Sequence, residues 1–157
     1  MSYTLQPMTQ DQANVIAYSW HYEEPYSFYD MEADKEDLEE FLNPISRGDS
    51  YFVVLEHDEI IGFFGFTSVS PGEIDIGLGM RPDLTGRGRG LDFLQAGMQF
   101  ALNTFQPTII TLSVAAFNKR AIATYKKIGF EKVSNFSQDT NGGSYEFVKM
   151  IYKTAKE

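Results

Sequence analysis

Along this chain, stretches in which apolar residues recur at every second position alternate with stretches in which they recur every third or fourth, and the alternation marks out the elements. Residues 3–8 read as a short strand, and Thr9 is placed to cap a helix carrying Ala13, Ile16, Ala17 and Trp20 on one face. An aromatic loop follows over residues 22–31. Asp34 then caps a second helix, with acids in its first turn and Leu38, Phe41 and Leu42 facing inward, which Pro44 ends. Residues 50–55 and 59–68 predict a hairpin around His57, Asp58 and Glu59, and Pro71-Gly72 makes the next turn. Residues 73–80 alternate cleanly, with Ile74, Ile76, Leu78 and Met80 on one face and Glu73, Asp75, Gly77 and Gly79 on the other. One face is core; the other must meet a cavity or water.

In the second half, Leu91, Leu94, Met98, Ala101, Leu102 and Phe105 fall at helical spacing, and Pro107 stops the run. Residues 108–114 have the β-rich character of a central strand. Residues 118–128 predict a helix with Ala121, Ile122, Tyr125 and Ile128 on one stripe and Gly129 as its C-cap. Two closing strands, 130–134 and 145–152, are joined by a polar turn containing Asn141, Gly142 and Gly143. No repeat, linker or low-complexity tail interrupts the pattern, so residues 1–157 are expected to form one domain around one core.

Between the alternating strand and the long helix stands Thr85-Gly86-Arg87-Gly88-Arg89-Gly90-Leu91. Glycines let backbone approach a ligand closely, and the N–H groups that open a helix lack partners within it, so this run reads as a cradle for a phosphate or pyrophosphate. It is not the loop of the nucleotide hydrolases, because no Lys-Ser or Lys-Thr follows the glycines, and its G-x-G-x-G spacing departs from the dinucleotide fingerprint G-x-G-x-x-G.

Composition narrows the classes. There is no cysteine, and two histidines, His21 and His57, do not build a metal site unaided. The start of the chain lacks the basic and apolar stretches of a leader, and the longest apolar run, residues 60–66, is too short to span a bilayer, so a cytoplasmic protein off the membrane is expected. The net charge of −9 is concentrated: residues 21–40 hold nine acids against Lys35 alone, leaving 13 acids and 12 bases elsewhere. Such a balance does not suit a nucleic-acid backbone.

Two motifs give the chain its likeness to a known family. The segment Met80-Arg81-Pro82-Asp83-Leu84-Thr85-Gly86-Arg87-Gly88-Arg89-Gly90-Leu91 is similar to the acetyl-CoA pyrophosphate loop Q/R-x-x-G-x-G/A of the GNAT acetyltransferases, with Thr85 where Gln or Arg usually stands. About thirty residues on, Asn118-Lys119-Arg120-Ala121-Ile122-Ala123-Thr124-Tyr125-Lys126-Lys127-Ile128-Gly129-Phe130 resembles that superfamily's N-x-x-A-x-x-x-Y-x-x-x-G-F helix. The resemblance spans essentially the whole chain. It implies an α/β (α+β) fold, with a mixed central sheet of about seven strands flanked by four helices and splayed between strands 4 and 5.

It also implies roles. Acetyl-CoA would be the co-substrate, its pyrophosphate held by Thr85, Gly86, Gly88, Gly90 and Leu91, with Thr85 lending a hydroxyl and Arg87 and Arg89 adding charge. The pantetheine arm would lie along Leu78, Gly79 and Met80, where Gly77 and Gly79 permit a close approach. Asn118 would cap its helix and contact that arm, and Tyr125 would hydrogen-bond the leaving sulfur. Only a neutral amine attacks a thioester, and an aliphatic amine has a pKa near about 10.4, so a carboxylate must take up a proton. Glu73 matches the fourth-strand glutamate of several members, with Asp75 on the same face as the runner-up.

The acceptor is expected at the acidic aromatic loop, where Tyr22, Glu23, Glu24, Tyr26, Tyr29 and Asp30 offer cation–π faces and carboxylates to a small basic amine or a peptide N-terminus. Two alternatives stay open. One is acetylation of ribosomal-protein N-terminal alanine, although Ser113 stands where that branch carries a glutamate. The other is a non-catalytic acyl-CoA sensor, which needs neither Tyr125 nor Glu73. The strand over 145–152 is read as an edge through which a homodimer could pair.

Overall fold

The computed structural model describes residues 3–140 and 143–154. The middle of the polar turn predicted around Asn141 and Gly142 lies outside the described residues. Seven strands form one sheet: β1 (Thr4–Pro7), β2 (Tyr51–Glu56), β3 (Glu59–Ser70), β4 (Glu73–Met80), β5 (Ile109–Ala115), β6 (Glu131–Thr140) and β7 (Gly143–Lys153). Their spatial order is β1-β2-β3-β4-β5-β7-β6, and every neighbouring pair is antiparallel except β4 with β5. The α-helices are α1 (Gln10–Ser19), α2 (Lys35–Leu42), α3 (Pro44–Arg47), α4 (Gly90–Phe105) and α5 (Lys119–Ile128). Among the described residues no helix is long and apolar enough to cross a membrane.

Local chemistry sets most boundaries. The Thr9 hydroxyl accepts from the Gln12 N–H while the Gln12 side chain accepts from the Thr9 N–H, a reciprocal capping box that starts α1. The Asp34 carboxylate accepts from the Asp37 N–H at 3.0 Å and starts α2. Pro44 ends α2 as its sequence position predicts, but it also begins α3. The Asn43 side chain accepts from the N–H groups of Ile45 and Ser46, and proline fits the first helical position, so the four expected helices become five.

One expectation is overturned by the strand order. β7 lies between β5 and β6, so both of its edges are already paired and the segment 145–152 is not open to a partner. The closing strands also run longer than predicted, because residues 134–139 of β6 are polar and exposed apart from Phe136, and one aromatic makes no alternation to read.

The sheet buries both faces. Consecutive Phe63 and Phe64 point to opposite sides, as pleating requires. Phe64 joins Ile74, Ile76, Leu112, Phe93 and Met98 beneath α4, with its ring stacked 4.8 Å from Phe93. Phe63 joins Val53, Ala13, Ile16, Trp20 and Phe41 beneath α1 and α2. Because Ile74 and Ile76 belong to the α4 side, the opposite face of β4, with Glu73, Asp75, Gly77 and Gly79, looks toward α1 and α2. That face carries the site.

The β4–β5 pairing is short. It joins only Glu73, Ile74 and Asp75 to Ile109, Ile110 and Thr111, after which β4 runs on to Met80 and β5 to Ala115 without pairing. The expected splay is present. Phe64 carries much of the packing on the α4 face, being fully buried. Phe64→Ala should therefore lower unfolding free energy by about 3–5 kcal/mol, read by chemical denaturation.

Candidate active site

The glycine run folds as its composition requires. A 3-10 turn over Pro82–Leu84 delivers the chain to Thr85, and Gly86 and Gly88 take φ values of +73° and +76° that a residue with a Cβ resists. α4 then begins at Gly90 with no side chain capping it, so its opening N–H groups suit an anion. Leu91 lies in that first turn.

The side chains of the loop do less than the sequence suggests. The Thr85 hydroxyl donates to the Pro82 carbonyl at 2.8 Å, so its hydrogen is spent inside the turn and is not offered to a phosphate oxygen. The Arg89 guanidinium is turned toward the first strands, where it pairs with Glu56 at 2.5 Å and donates to the Tyr3 hydroxyl at 3.3 Å. Arg87 is exposed. The cradle therefore acts mainly through backbone.

A cavity of about 910 Å³ runs across the face of β4 and reaches Thr85, but Gly86, Gly88, Gly90 and Leu91 are not among the residues that line it. Thr85, Asn118 and Tyr125 line one end, and Leu78, Gly79 and Met80 form its flank. The Arg81 N–H pairs with the Ile61 carbonyl on β3, so by strand alternation the backbone groups of Leu78 and Met80 turn to the opposite, splayed side. The Tyr22 hydroxyl already donates to the Met80 carbonyl there, at 2.7 Å.

Around Tyr125, burial raises the phenol above its ordinary pKa, with Tyr29 close by adding to the effect. The hydroxyl thus stays protonated, a donor. Asn118 serves twice: its side-chain oxygen accepts from the Ala121 N–H at 3.2 Å and caps α5, and its amide donates to the Tyr29 hydroxyl at 3.1 Å.

The other end of the cavity is an aromatic chamber with acidic groups. Trp20, Tyr22, Tyr51 and Phe63 wall it, Tyr26 and Tyr29 extend it to Arg120 and Asn118, Asp30, Asp37 and Glu40 bring carboxylates, and Arg47 brings one positive charge. Asp30 is held by the Tyr22 N–H at 2.8 Å and by His21 Nδ1 at 3.2 Å. His21 Nε2 faces the Tyr18 carbonyl at 3.0 Å, so both ring nitrogens have acceptors, and the bond to Asp30 above all raises the imidazole pKa. The Asp37 carboxyl is also raised, first by desolvation and then by Asp34, Glu40 and Glu36.

Several predicted residues stand elsewhere. Glu23 is exposed, and Glu24 accepts from the Ser27 hydroxyl at 2.7 Å beside a separate shallow pocket, so neither lines the chamber. Asp37 and Glu40 line the chamber although, along the sequence, α2 reads as a solvated acidic helix. Their only signal is that they flank the inward Leu38 and Phe41.

Neither strand carboxylate lines the cavity directly. Glu73 opens β4 and accepts from the Ser70 hydroxyl at 3.3 Å, at the far end of the strand from Met80. Asp75 is half-buried, accepts from Thr111 Oγ1 at 2.7 Å, and stands at the last β4–β5 pair before the splay. Burial raises its pKa, opposed by the Thr111 hydrogen bond and by Lys149. Gly77, one pleat repeat further on the same face, does line the cavity.

Solved structures share this fold. A spermidine N-acetyltransferase chimera of Vibrio cholerae SpeG and hSSAT aligns at TM-score 0.73 and 18% identity, covering 96% of this chain and 95% of its own. The Campylobacter jejuni N-acetyltransferase PseH aligns at 0.68 and 20%, covering 98% and 99%. A GNAT-family acetyltransferase from Bacillus anthracis aligns at 0.72 and 13%, covering 96% and 94%. No curated protein matches the chain by sequence. The model of the acetyltransferase (GNAT) domain matches residues 3–131, most of the chain, and it joins the glycine cradle, the splayed strands and the tyrosine helix into one unit. The chain belongs to the GNAT acetyltransferase family, and it is an acyltransferase.

Proposed function

We propose that the protein moves the acetyl group of acetyl-CoA to the primary amine of a small basic acceptor within a ternary complex. The observation that carries this reading is the cavity that runs from Thr85, at the start of the glycine turn, past Asn118 and Tyr125 to an aromatic chamber where Asp30, Asp37 and Glu40 outnumber Arg47. Acetyl-CoA fits the first end: its pyrophosphate suits the N–H groups at the start of α4, and its pantetheine arm suits the edge of Leu78 and Met80 that β5 leaves, where the Tyr22 hydroxyl holds the Met80 carbonyl. A cationic amine suits the second, where tyrosine and tryptophan faces and carboxylates favour positive charge.

In the transfer step the neutral amine nitrogen attacks the thioester carbonyl, the C–N bond forms, the C–S bond breaks, and the sulfur leaves with a hydrogen bond from Tyr125. The excess amine proton passes to Asp75 through water. Asp75 takes precedence over Glu73 because it stands at the opening of the splay, about 7 Å along the strand from cavity-lining Gly77. Its desolvation raises its pKa from the ordinary carboxylate value, against the Thr111 hydrogen bond and Lys149, in the direction that favours proton uptake. A peptide N-terminus is a poorer acceptor on this reading, since Asp37 and Glu40 supply charge suited to a second cationic group. Ser113, which lines the cavity without a carboxylate, gives no support to the ribosomal alanine reading.

Thiol release measured with a panel of amines tests the assignment. Tyr125→Phe should cut kcat about tenfold or more, and Asp75→Asn about 10²-fold with the acidic limb of the pH profile flattened; a wild-type rate in both would overturn it. A double Asp37→Asn, Glu40→Gln variant should raise the KM for a diamine about tenfold while leaving the acetyl-CoA KM in place. An unchanged diamine KM removes those residues from the acceptor site.

Asp75 also links stability to pH. Its folded pKa is raised, so the folded state binds more protons than the unfolded chain in the interval above the ordinary value of 3.8, and stability contributed at this site falls as pH rises through that interval. Denaturation midpoints across pH should show this slope in the wild type and lose it in Asp75→Asn.

A further inference from the structure

Two arginines, Arg47 and Arg120, line the cavity, and the second lies beside the glycine turn. Arg120, the second residue of α5, places its Cζ 4.4 Å from the ring centroid of Tyr26 in the aromatic loop. Its Nη1 lies 2.8 Å from the point a Cβ would occupy on Gly86, the first left-handed glycine of the cradle. Among the described residues no carboxylate lies within ion-pair distance of this guanidinium. A guanidinium can stack on an aromatic face while its N–H groups, which radiate in its own plane, remain able to hold an anion.

The same turn binds the rest of the loop. Asn118 holds Tyr29, and Phe117 lies within ring-contact distance of Tyr26, Phe28 and Tyr29, with centroids at 6.2, 5.5 and 6.1 Å. The loop that walls the acceptor chamber thus rests on the start of α5, and Arg120 is the member that also reaches the anion cradle. In contrast Arg89, predicted for the donor from the glycine motif, spends its charge on Glu56.

We propose that Arg120 is a positioning residue that couples the two half-sites. Donor phosphate in the cradle pairs with the guanidinium, the guanidinium is held over Tyr26, and the aromatic loop is thereby kept in its acceptor-binding form. A donor that carries phosphate tightens the acceptor, and by linkage the acceptor tightens the donor equally. The inference rests on acetyl-CoA being the donor.

The test compares acetyl-CoA with S-acetylpantetheine, which has the same thioester and arm but no phosphates, each at saturation. For the wild type the acceptor KM should be about fivefold or more lower with acetyl-CoA. Tyr26→Leu should erase that difference while acetyl-CoA binding without acceptor, followed by calorimetry, stays near wild type. Arg120→Gln should erase it and weaken acetyl-CoA as well, and Tyr26→Phe, which keeps the ring, should preserve it. Equal acceptor KM values with the two donors in the wild type, or a difference that survives Tyr26→Leu, overturns the proposal. Failure of acetyl-CoA to release thiol with any amine would instead overturn the donor assignment beneath it.

Discussion

The structure turns on the parting of β4 and β5. Parallel pairing holds for three residues and then stops at Asp75 and Thr111, although both strands continue. Backbone groups that leave a ladder must find other partners, and here the Leu78 and Met80 edge is left facing a cavity, where Tyr22 satisfies the Met80 carbonyl. An open sheet of seven strands would otherwise have no cleft at its centre. The antiparallel pairs on either side, β3 with β4 and β5 with β7, hold the two lips apart and in register.

The two faces of the sheet divide the labour. Beneath α4 the aromatic stack of Phe64, Phe66, Phe93 and Phe100 forms a dry core that anchors the helix whose N-terminus makes the cradle. On the other face, Phe63 sits over Gly79 and against Trp20 and Phe41, and the same packing that seats α1 and α2 brings Asp37 and Glu40 to the aromatic chamber. The glycine turn and the aromatic chamber are therefore positioned by different hydrophobic clusters. The short turn from Phe117 to Arg120 is where the two are joined.

Much of this was legible along the chain. The alternation of residues 73–80 survives as β4, with the glycines on the acceptor-side face, because period-2 patterning is a local consequence of burying one side of a strand. Thr9, Asp34 and Asn118 cap their helices as their positions predict, since caps depend on neighbours within one turn. Thr85, at the start of the glycine turn, lines the same cavity as Tyr125. The roles of Thr85 and Arg89 were less legible: the first depends on a turn carbonyl at Pro82, the second on Glu56 in a distant strand, and no local pattern announces either partner.

By itself, then, the sequence determined most of the strands and helices, which face of each is apolar, and where the left-handed glycine turn stands, all of which follow from spacing within a few residues. Only the tertiary structure decided that β7 is interior, that Asp75 and not Glu73 stands at the opening of the splay, that Asp37 and Glu40 and not Glu23 and Glu24 line the aromatic chamber, and that Arg120 lies against both Tyr26 and Gly86. These are contacts between residues tens of positions apart. They are set by how two packed faces close around a gap in the sheet, and that closure is a property of the assembled layers, not of any one segment.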